Sequence, residues 1–377
     1  GCRFHLDKAS LFSPDYTTAR HRFREAVRRL DWETASYPAG GKGPDGEDLT
    51  IDVAIARGST SSRTLVLSSG IHGVEGFFGS AVQLGLLEDW ASGRAPLPAI
   101  RCVLLHGLNP FGFAWRRRVN ESNVDLNRNL LLEGEAYAGS PSGYASLDAL
   151  LNPERGPSSL EPVTLKLLLA IARYGMPALK QTVAAGQYDH PRGLFYGGNG
   201  PSRLSVILSE HFDDWIGASR RVMHLDFHTG LGAHATCKLL IDYPLGDTQR
   251  AQLGSWFGPG ALEEADAPAV AYKARGTFGR WCVARYPERD YLYAAAEFGT
   301  RKPVDVVASL RAENQAHHFC RPQDASTERT KRRLMEMFCP SSEAWRQRVL
   351  EHGRQLVAQA MDGLLAQPGD RKPAVRR

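Results

Sequence analysis

Short apolar runs, each closing on polar residues or glycine, recur along this chain: "TLVLSSG", "IRCVLLHGLNP", "RVMHLDFHTG" and "YLYAAAEFGT". Runs of this length bounded by turn residues read as buried strands. The spacing predicts strands over 49–56 and about 63–69, and one in each of the three later runs. Between them the period lengthens. Residues 15–31 put Ala, Phe and Val on one helical face and Arg on the other, and "VEGFFGSAVQLGLLEDW" has apolar residues at helical spacing. Residues 160–186 predict one or two helices, and 342–366 a C-terminal helix. Strands alternating with helices specify an α/β fold: a mixed, mostly parallel central sheet with helices on both faces. Ligands bind at the carboxyl ends of such strands. The polar strand ends are His72 with Glu75, the stretch from Asn109 to Arg128, His228 and Glu297, which the fold would gather on one edge.

With no internal repeat, one catalytic domain over 1–366 is the simplest organisation, with a helical and loop insertion at about 131–220 and a disordered tail over 367–377. The Gly/Pro-rich "GQYDHPRGLFYGGNGPSR" is long for a plain connection, so it is read as a functional loop whose Tyr188 or Arg192 lines a cleft. Composition adds little: 377 residues, 42% hydrophobic and 23% charged, is ordinary for a globular chain. The net charge of +5 is spread along the chain, and the cluster Lys331–Arg333 reads as solvated surface, so no nucleic-acid partner is expected. No apolar run is long enough to span a bilayer, and no membrane partner is expected. Six cysteines without a CxxC pair argue against a sulfur-ligated zinc and for free thiols in a reducing, cytoplasmic setting, although a leader removed upstream of Cys2 would leave no trace.

His72 and Glu75 stand three apart directly after a strand, where one turn brings both to one side. Imidazole and carboxylate are zinc ligands, and three protein ligands leave a position open for catalysis. Alone, the pair reads more readily as a loop histidine and a glutamate at a helix start. A third ligand is available in "MHLDFHTGLG": His228 sits at the strand end, whereas His224 lies further back as a packed core residue. Asp226 is placed to orient an imidazole, or else to pair with an arginine. In "AWRRRVNESNVDLNRNL" the pair Asn127–Arg128 suggests a guanidinium held in a defined place, suited to a carboxylate. Glu297 closes "AAAE", where desolvation raises a carboxyl toward general-base work; an ion pair is the plainer reading.

In this order the residues resemble the zinc carboxypeptidases of the carboxypeptidase A type, from about residue 63 to 300, and more closely a bacterial branch of that superfamily. The resemblance implies one zinc per chain on His72, Glu75 and His228, with Glu297 as the catalytic glutamate. Its oxyanion-stabilising arginine matches Arg118, with Arg117 the alternative, and its carboxylate-gripping pair matches Asn127 and Arg128. Its substrate-contacting tyrosine has no motif here; Tyr272 is the nominee by position. The implied substrate is a small peptide or an N-acyl amino acid, cut at an amide bond. The alternatives are a deacylase similar to aspartoacylase and succinylglutamate desuccinylase, whose β-rich C-terminal domain is at odds with the helical C-terminus here, and a non-catalytic metal-containing binding protein.

Overall fold

A computed structural model describes residues 11–58, 60–264 and 274–366. Its strands β1 (Glu33–Lys42), β2 (Asp48–Ala56), β3 (Thr60–Ser69), β4 (Ile100–His106), β5 (Arg221–Gly230), β6 (Cys237–Ile241), β7 (Leu262–Glu264) and β8 (Asp290–Gly299) form one sheet. The order across it is β1-β2-β4-β3-β5-β8-β6-β7. The middle strands β4, β3, β5 and β8 run parallel. β2 is antiparallel to β4 and β1 to β2, β6 is antiparallel to β8, and β7 is parallel to β6. The expected mixed, mostly parallel sheet is therefore what the chain builds.

The helices are α1 (Tyr16–Arg29), α2 (Gly76–Ala91), α3 (Pro110–Ala114), α4 (Tyr144–Leu151), α5 (Val163–Tyr174), α6 (Met176–Ala184), α7 (Arg203–Ile216), α8 (Asp247–Phe257), α9 (Phe278–Arg285), α10 (Pro303–Phe319), α11 (Ala325–Phe338) and α12 (Glu343–Ala366). α1 starts where Asp15 accepts the Thr18 N–H at 2.7 Å, and buries Ala19, Phe23, Ala26 and Val27 at helical spacing. α2 is apolar nearly all round because it is enclosed on both sides, by the sheet and by α1 and α12.

Strand alternation separates two chemistries. On one face of the sheet Phe227 and Phe298 pack with Phe78 of α2, which also meets Trp345 of α12. On the other, His224 of β5 meets Phe212 of α7 and Phe278 of α9. With a side-chain period of two, His224, Asp226 and His228 share that second face.

β1 escaped the hydrophobic pattern because "ETASYPAGGK" is a mostly exposed edge strand. An edge tolerates Pro38, and the register shifts between Pro38 and Lys42, where Gly40 and Gly41 have positive φ. The segment expected as an insertion divides: α7 packs against β1 and β4, whereas α5 packs against α6 and α10. Cys102, Cys237, Cys282, Cys320 and Cys339 are free thiols. The tail over 367–377 lies outside the described residues.

One expectation fails. Lys331 is not solvated surface; only Arg332 and Arg333 of that cluster are exposed. Lys331 falls on the α11 stripe with Thr327, Leu334 and Phe338, which is buried, and its Nζ lies 2.6 Å from Glu313 Oε1. The same oxygen accepts from Arg117 Nε at 2.9 Å. Burial works to raise the Glu313 carboxyl, but Arg117 and Lys331 outweigh it and hold it at about 2. A depressed carboxyl contributes stability that is full above its unfolded value of about 4.3 and is lost as pH falls through its folded value. Glu313→Gln is therefore expected to cost about 3–5 kcal/mol near pH 7 by leaving two buried cations unpaired. In urea titrations the gap to wild type should narrow as pH drops from about 4.3 toward 2. A gap that is constant with pH would contradict this account.

Candidate metal centre and active site

β3 ends at Ser69, and Gly70, at φ 72°, turns the chain. A Cβ at Gly70 would lie 3.2 Å from the Gly76 Cα and 3.3 Å from the Gly107 Cα. His72 then leads into one 3-10 turn, Gly73–Glu75, that runs directly into α2. This turn lies flat on the arginine segment. Gly73 and Val74 donate their N–H groups to the carbonyls of Arg118 and Arg117, and a Cβ on Gly73 would sit 2.0 Å from the Gly112 carbonyl carbon. Glycine is thus required where two backbones touch.

Glu75 lies between two imidazoles. Its Oε1 is 2.9 Å from His72 Nδ1 and its Oε2 is 3.0 Å from His228 Nδ1. One ligand atom from each of the three residues lies within 4.8 Å of the others. Bonds of 2.0–2.2 Å to a common tetrahedral ion separate ligand atoms by roughly 3.4 Å, so the three side chains would have to adjust by up to about 1.4 Å to hold one. The electrostatics agree. Burial would raise the Glu75 carboxyl, yet His72 and His228 hold it far below its usual range. Burial would lower His228, yet Asp226 and Glu75 hold it well above. Both shifts mark a place that favours positive charge between the three side chains, which a divalent cation satisfies.

A carboxylate stands behind each histidine. His228 Nε2 is 2.6 Å from Asp226 Oδ2, which also accepts from Tyr293 Oη at 2.8 Å. Asp226 Oδ1 accepts from Ser68 Oγ at 2.6 Å. Having donated to Asp226, Ser68 accepts from His224 Nε2 at 2.7 Å, and His224 Nδ1 is left to accept from Tyr291 Oη at 2.9 Å. Burial lowers His224 to about 4, so it is a neutral packed histidine, apart from the three clustered ligand candidates. Behind His72 stands Asp125, whose Oδ1 is 3.2 Å from Nε2. In the sequence Asp125 belongs to no motif. Its only signal was a lone acid in an apolar stretch.

The three consecutive arginines diverge. Arg116 reaches Glu328 of α11. Arg117 is fully buried against Glu313 and Asn314 of α10, away from the cluster. Arg118 places Nε 2.9 Å from Asp125 Oδ2 and Nη2 2.8 Å from His72 Nε2, with its guanidinium over the Phe195 ring. Arg118, not Arg117, therefore borders the cluster.

Glu297 lies at the end of β8, opposite His228 in the β5–β8 ladder. Its Oε1 accepts the Leu231 N–H at 2.8 Å. Burial first, and then the charge of Glu75, raises it to about 7. His72, Glu75, Arg118 and Glu297 border one cavity of about 200 Å³.

Asn127 and Arg128 stand behind its wall. The Asn127 side-chain oxygen accepts the Phe278 N–H at the start of α9. Arg128 is buried, and its guanidinium donates to the carbonyls of Ala184, a residue of the wall, and Asn127. Tyr188 is held behind the wall as well, donating to the Arg128 carbonyl at 2.7 Å, while Arg192 borders a separate surface groove with Asp148 and Asn314. Tyr272 lies outside the described residues.

A family model described as "Protein of unknown function (DUF2817)" matches residues 12–352. No curated protein matches the chain. Among solved structures, the chain is similar to a protein described as a candidate metallopeptidase from Shewanella baltica OS155, at 15% identity and TM-score 0.42, covering 81% of this chain and 91% of that one. It is similar to carboxypeptidase A from Helicoverpa armigera, at 12% identity and TM-score 0.45, covering 86% of this chain and 74% of that one. It is also similar to bovine thrombin-activatable fibrinolysis inhibitor, at 10% identity and TM-score 0.47, covering 93% of this chain and 97% of that one.

Asp226 fixes which nitrogen His228 turns toward Glu75. Asp226→Asn is expected to weaken divalent-metal affinity about 10- to 100-fold, measured by zinc titration against a competing chelator. Unchanged affinity would leave Asp226 without an orienting role.

Proposed function

Since the chain belongs to the family of proteins of unknown function DUF2817, whose description assigns no chemistry, we propose its function from the site: a metal-dependent hydrolase that cleaves an amide bond in a substrate bearing a free carboxylate. The observation that supports it best is the convergence of His72, Glu75 and His228, with Glu297 on the neighbouring strand position beside them. Zinc held by those three residues would supply Lewis acidity and a water of lowered pKa.

The protein's own groups do the rest. Glu297 Oε1 is engaged by Leu231 N–H, so Oε2 is the atom that takes the attacking water's proton and later delivers it to the leaving nitrogen. A carboxyl at about 7 suits both transfers. Arg118 donates to the oxygen that becomes negative as the amide carbon turns tetrahedral. His72 would hold the metal with Asp125, 3.2 Å from its Nε2, orienting the ring, and Arg118 Nη2, now 2.8 Å from the same nitrogen, would be the donor that turns to the substrate. Asn127 and Arg128 would receive the substrate carboxylate once the wall at Ala184 opens to expose them. Arg128 now donates to the Ala184 carbonyl, and a carboxylate displaces it because a charge-assisted pair is the stronger one.

Elemental mass spectrometry on purified protein is expected to find about one zinc per chain, and almost none in a His72→Ala, His228→Ala double variant. With zinc bound, Glu297→Gln should lower kcat on N-acyl amino acids or short peptides by about 10²- to 10⁴-fold. Absence of stoichiometric metal in wild type, even after reconstitution with zinc, would refute the proposal.

A further inference from the structure

Apart from its floor and Lys180 of α6, the cavity is lined mostly by apolar side chains. Above His72, Glu75, Arg118 and Glu297, its wall is built by four helices. α4 contributes Leu147 and Leu151, α5 contributes Leu167 and Ile171, and α10 contributes Val306 and Leu310. On α6, Lys180 lines the cavity together with Leu179 and Val183. Several of these side chains belong to a hydrophobic cluster separate from the main core. Met176 lines the cavity and is 39% exposed, which places an opening at the α5–α6 junction. Beside that opening, α5 turns Leu165, Leu168 and Leu169 to the outside, each at least half exposed.

A peptide strand drawn into such a space would bury an N–H and a C=O at every residue against leucine, isoleucine and valine. Each unmatched group carries a penalty of about 1–3 kcal/mol. A saturated chain has nothing to leave unmatched, and gains from each methylene removed from water.

We infer that the substrate of this site is an N-acyl amino acid whose acyl group is a long aliphatic chain, lying between α4, α5, α6 and α10 with its carbonyl carbon at Glu297 and Arg118. The inference rests on the hydrolase reading for its chemistry, though not for its binding. In an N-acyl amino acid the carboxylate is on the amino side of the bond, so the chain that fills the apolar cavity is the acyl group. The reaction balances as a hydrolysis. Water's oxygen bonds to the acyl carbon, the C–N bond breaks, and the proton carried by Glu297 goes to nitrogen, giving a fatty acid and a free amino acid.

The test is calorimetric binding of N-acetyl-, N-hexanoyl- and N-dodecanoylglycine, below their micelle concentrations, to the full-length zinc-loaded Glu297→Gln protein, which binds without turning over. Affinity is expected to rise about fourfold per methylene until the cavity is filled. Ile171→Trp, a substitution in a partly exposed helix, should shorten the chain length at which the rise stops. Leu165→Ser, on the outer face of α5, should leave it unchanged. Affinity independent of chain length overturns the inference, as does tighter binding of N-acetyl-trialanine than of the dodecanoyl compound. A length effect abolished by Leu165→Ser but not by Ile171→Trp also overturns it, because the chain would then lie on the outside. Chain-length-dependent binding with no hydrolysis of any acylglycine by wild type would sink the hydrolase reading and leave the aliphatic site standing.

Discussion

The site depends on one carboxylate that water does not reach. Asp226 is fully buried in the middle of the sheet, and an unpaired charge there would cost several kcal/mol. It is matched from three strands: by Ser68 of β3, by His228 of its own strand β5 and by Tyr293 of β8. Satisfying the charge therefore locks the relative register of those strands. A slip by one residue would turn Ser68 or Tyr293 to the opposite face and strand the carboxylate. The same bonds aim the far nitrogen of His228 at Glu75. Folding and placement of the candidate ligand are one requirement here.

From Asp226 the pairing continues through His228, Glu75 and His72 to Asp125 and Arg118. Each carboxylate is depressed by the neighbours that hold it, although burial alone would raise it. Glu297 stands outside this chain. Its hydrogen bond is to a backbone N–H and its charged neighbours include Glu75, so burial prevails and its carboxyl rises. Carboxylates of similar burial thus divide into holders, kept ionised by partners, and one that can exchange a proton.

What was legible in the sequence follows from this arrangement. The ends of the apolar runs carry His72, Glu75, His228 and Glu297, so reading the strands also found the three clustered ligand candidates and the glutamate that borders the cavity beside them. Asp226 was legible because the strand period puts it on the face of His228. Asp125 was not, since its partners come from the turn after β3 and from its own irregular loop, neither of which has a period. Nor could the string "RRR" reveal that Arg116 goes to α11, Arg117 to α10 and Arg118 to the cluster. α10 and α11 were missed for a related reason. They bury Glu313 against Lys331 and Arg311 against Glu161, and buried ion pairs read as surface in a polarity pattern.

The helical wall has two effects on the chemistry below it. By excluding water it strengthens each electrostatic interaction on the floor, so that on the proposed mechanism Arg118 would act on a developing charge through a medium of lower dielectric than solvent. Desolvation is also the largest cause of the raised Glu297 carboxyl. A substrate that fills the space with methylenes maintains both effects, while a polar or hydrated one would admit water and relax them. On the proposed mechanism the apolar wall would tie the readiness of the Glu297 carboxyl to occupation of the cavity by an apolar group, so that selectivity and activation would arise from the same side chains.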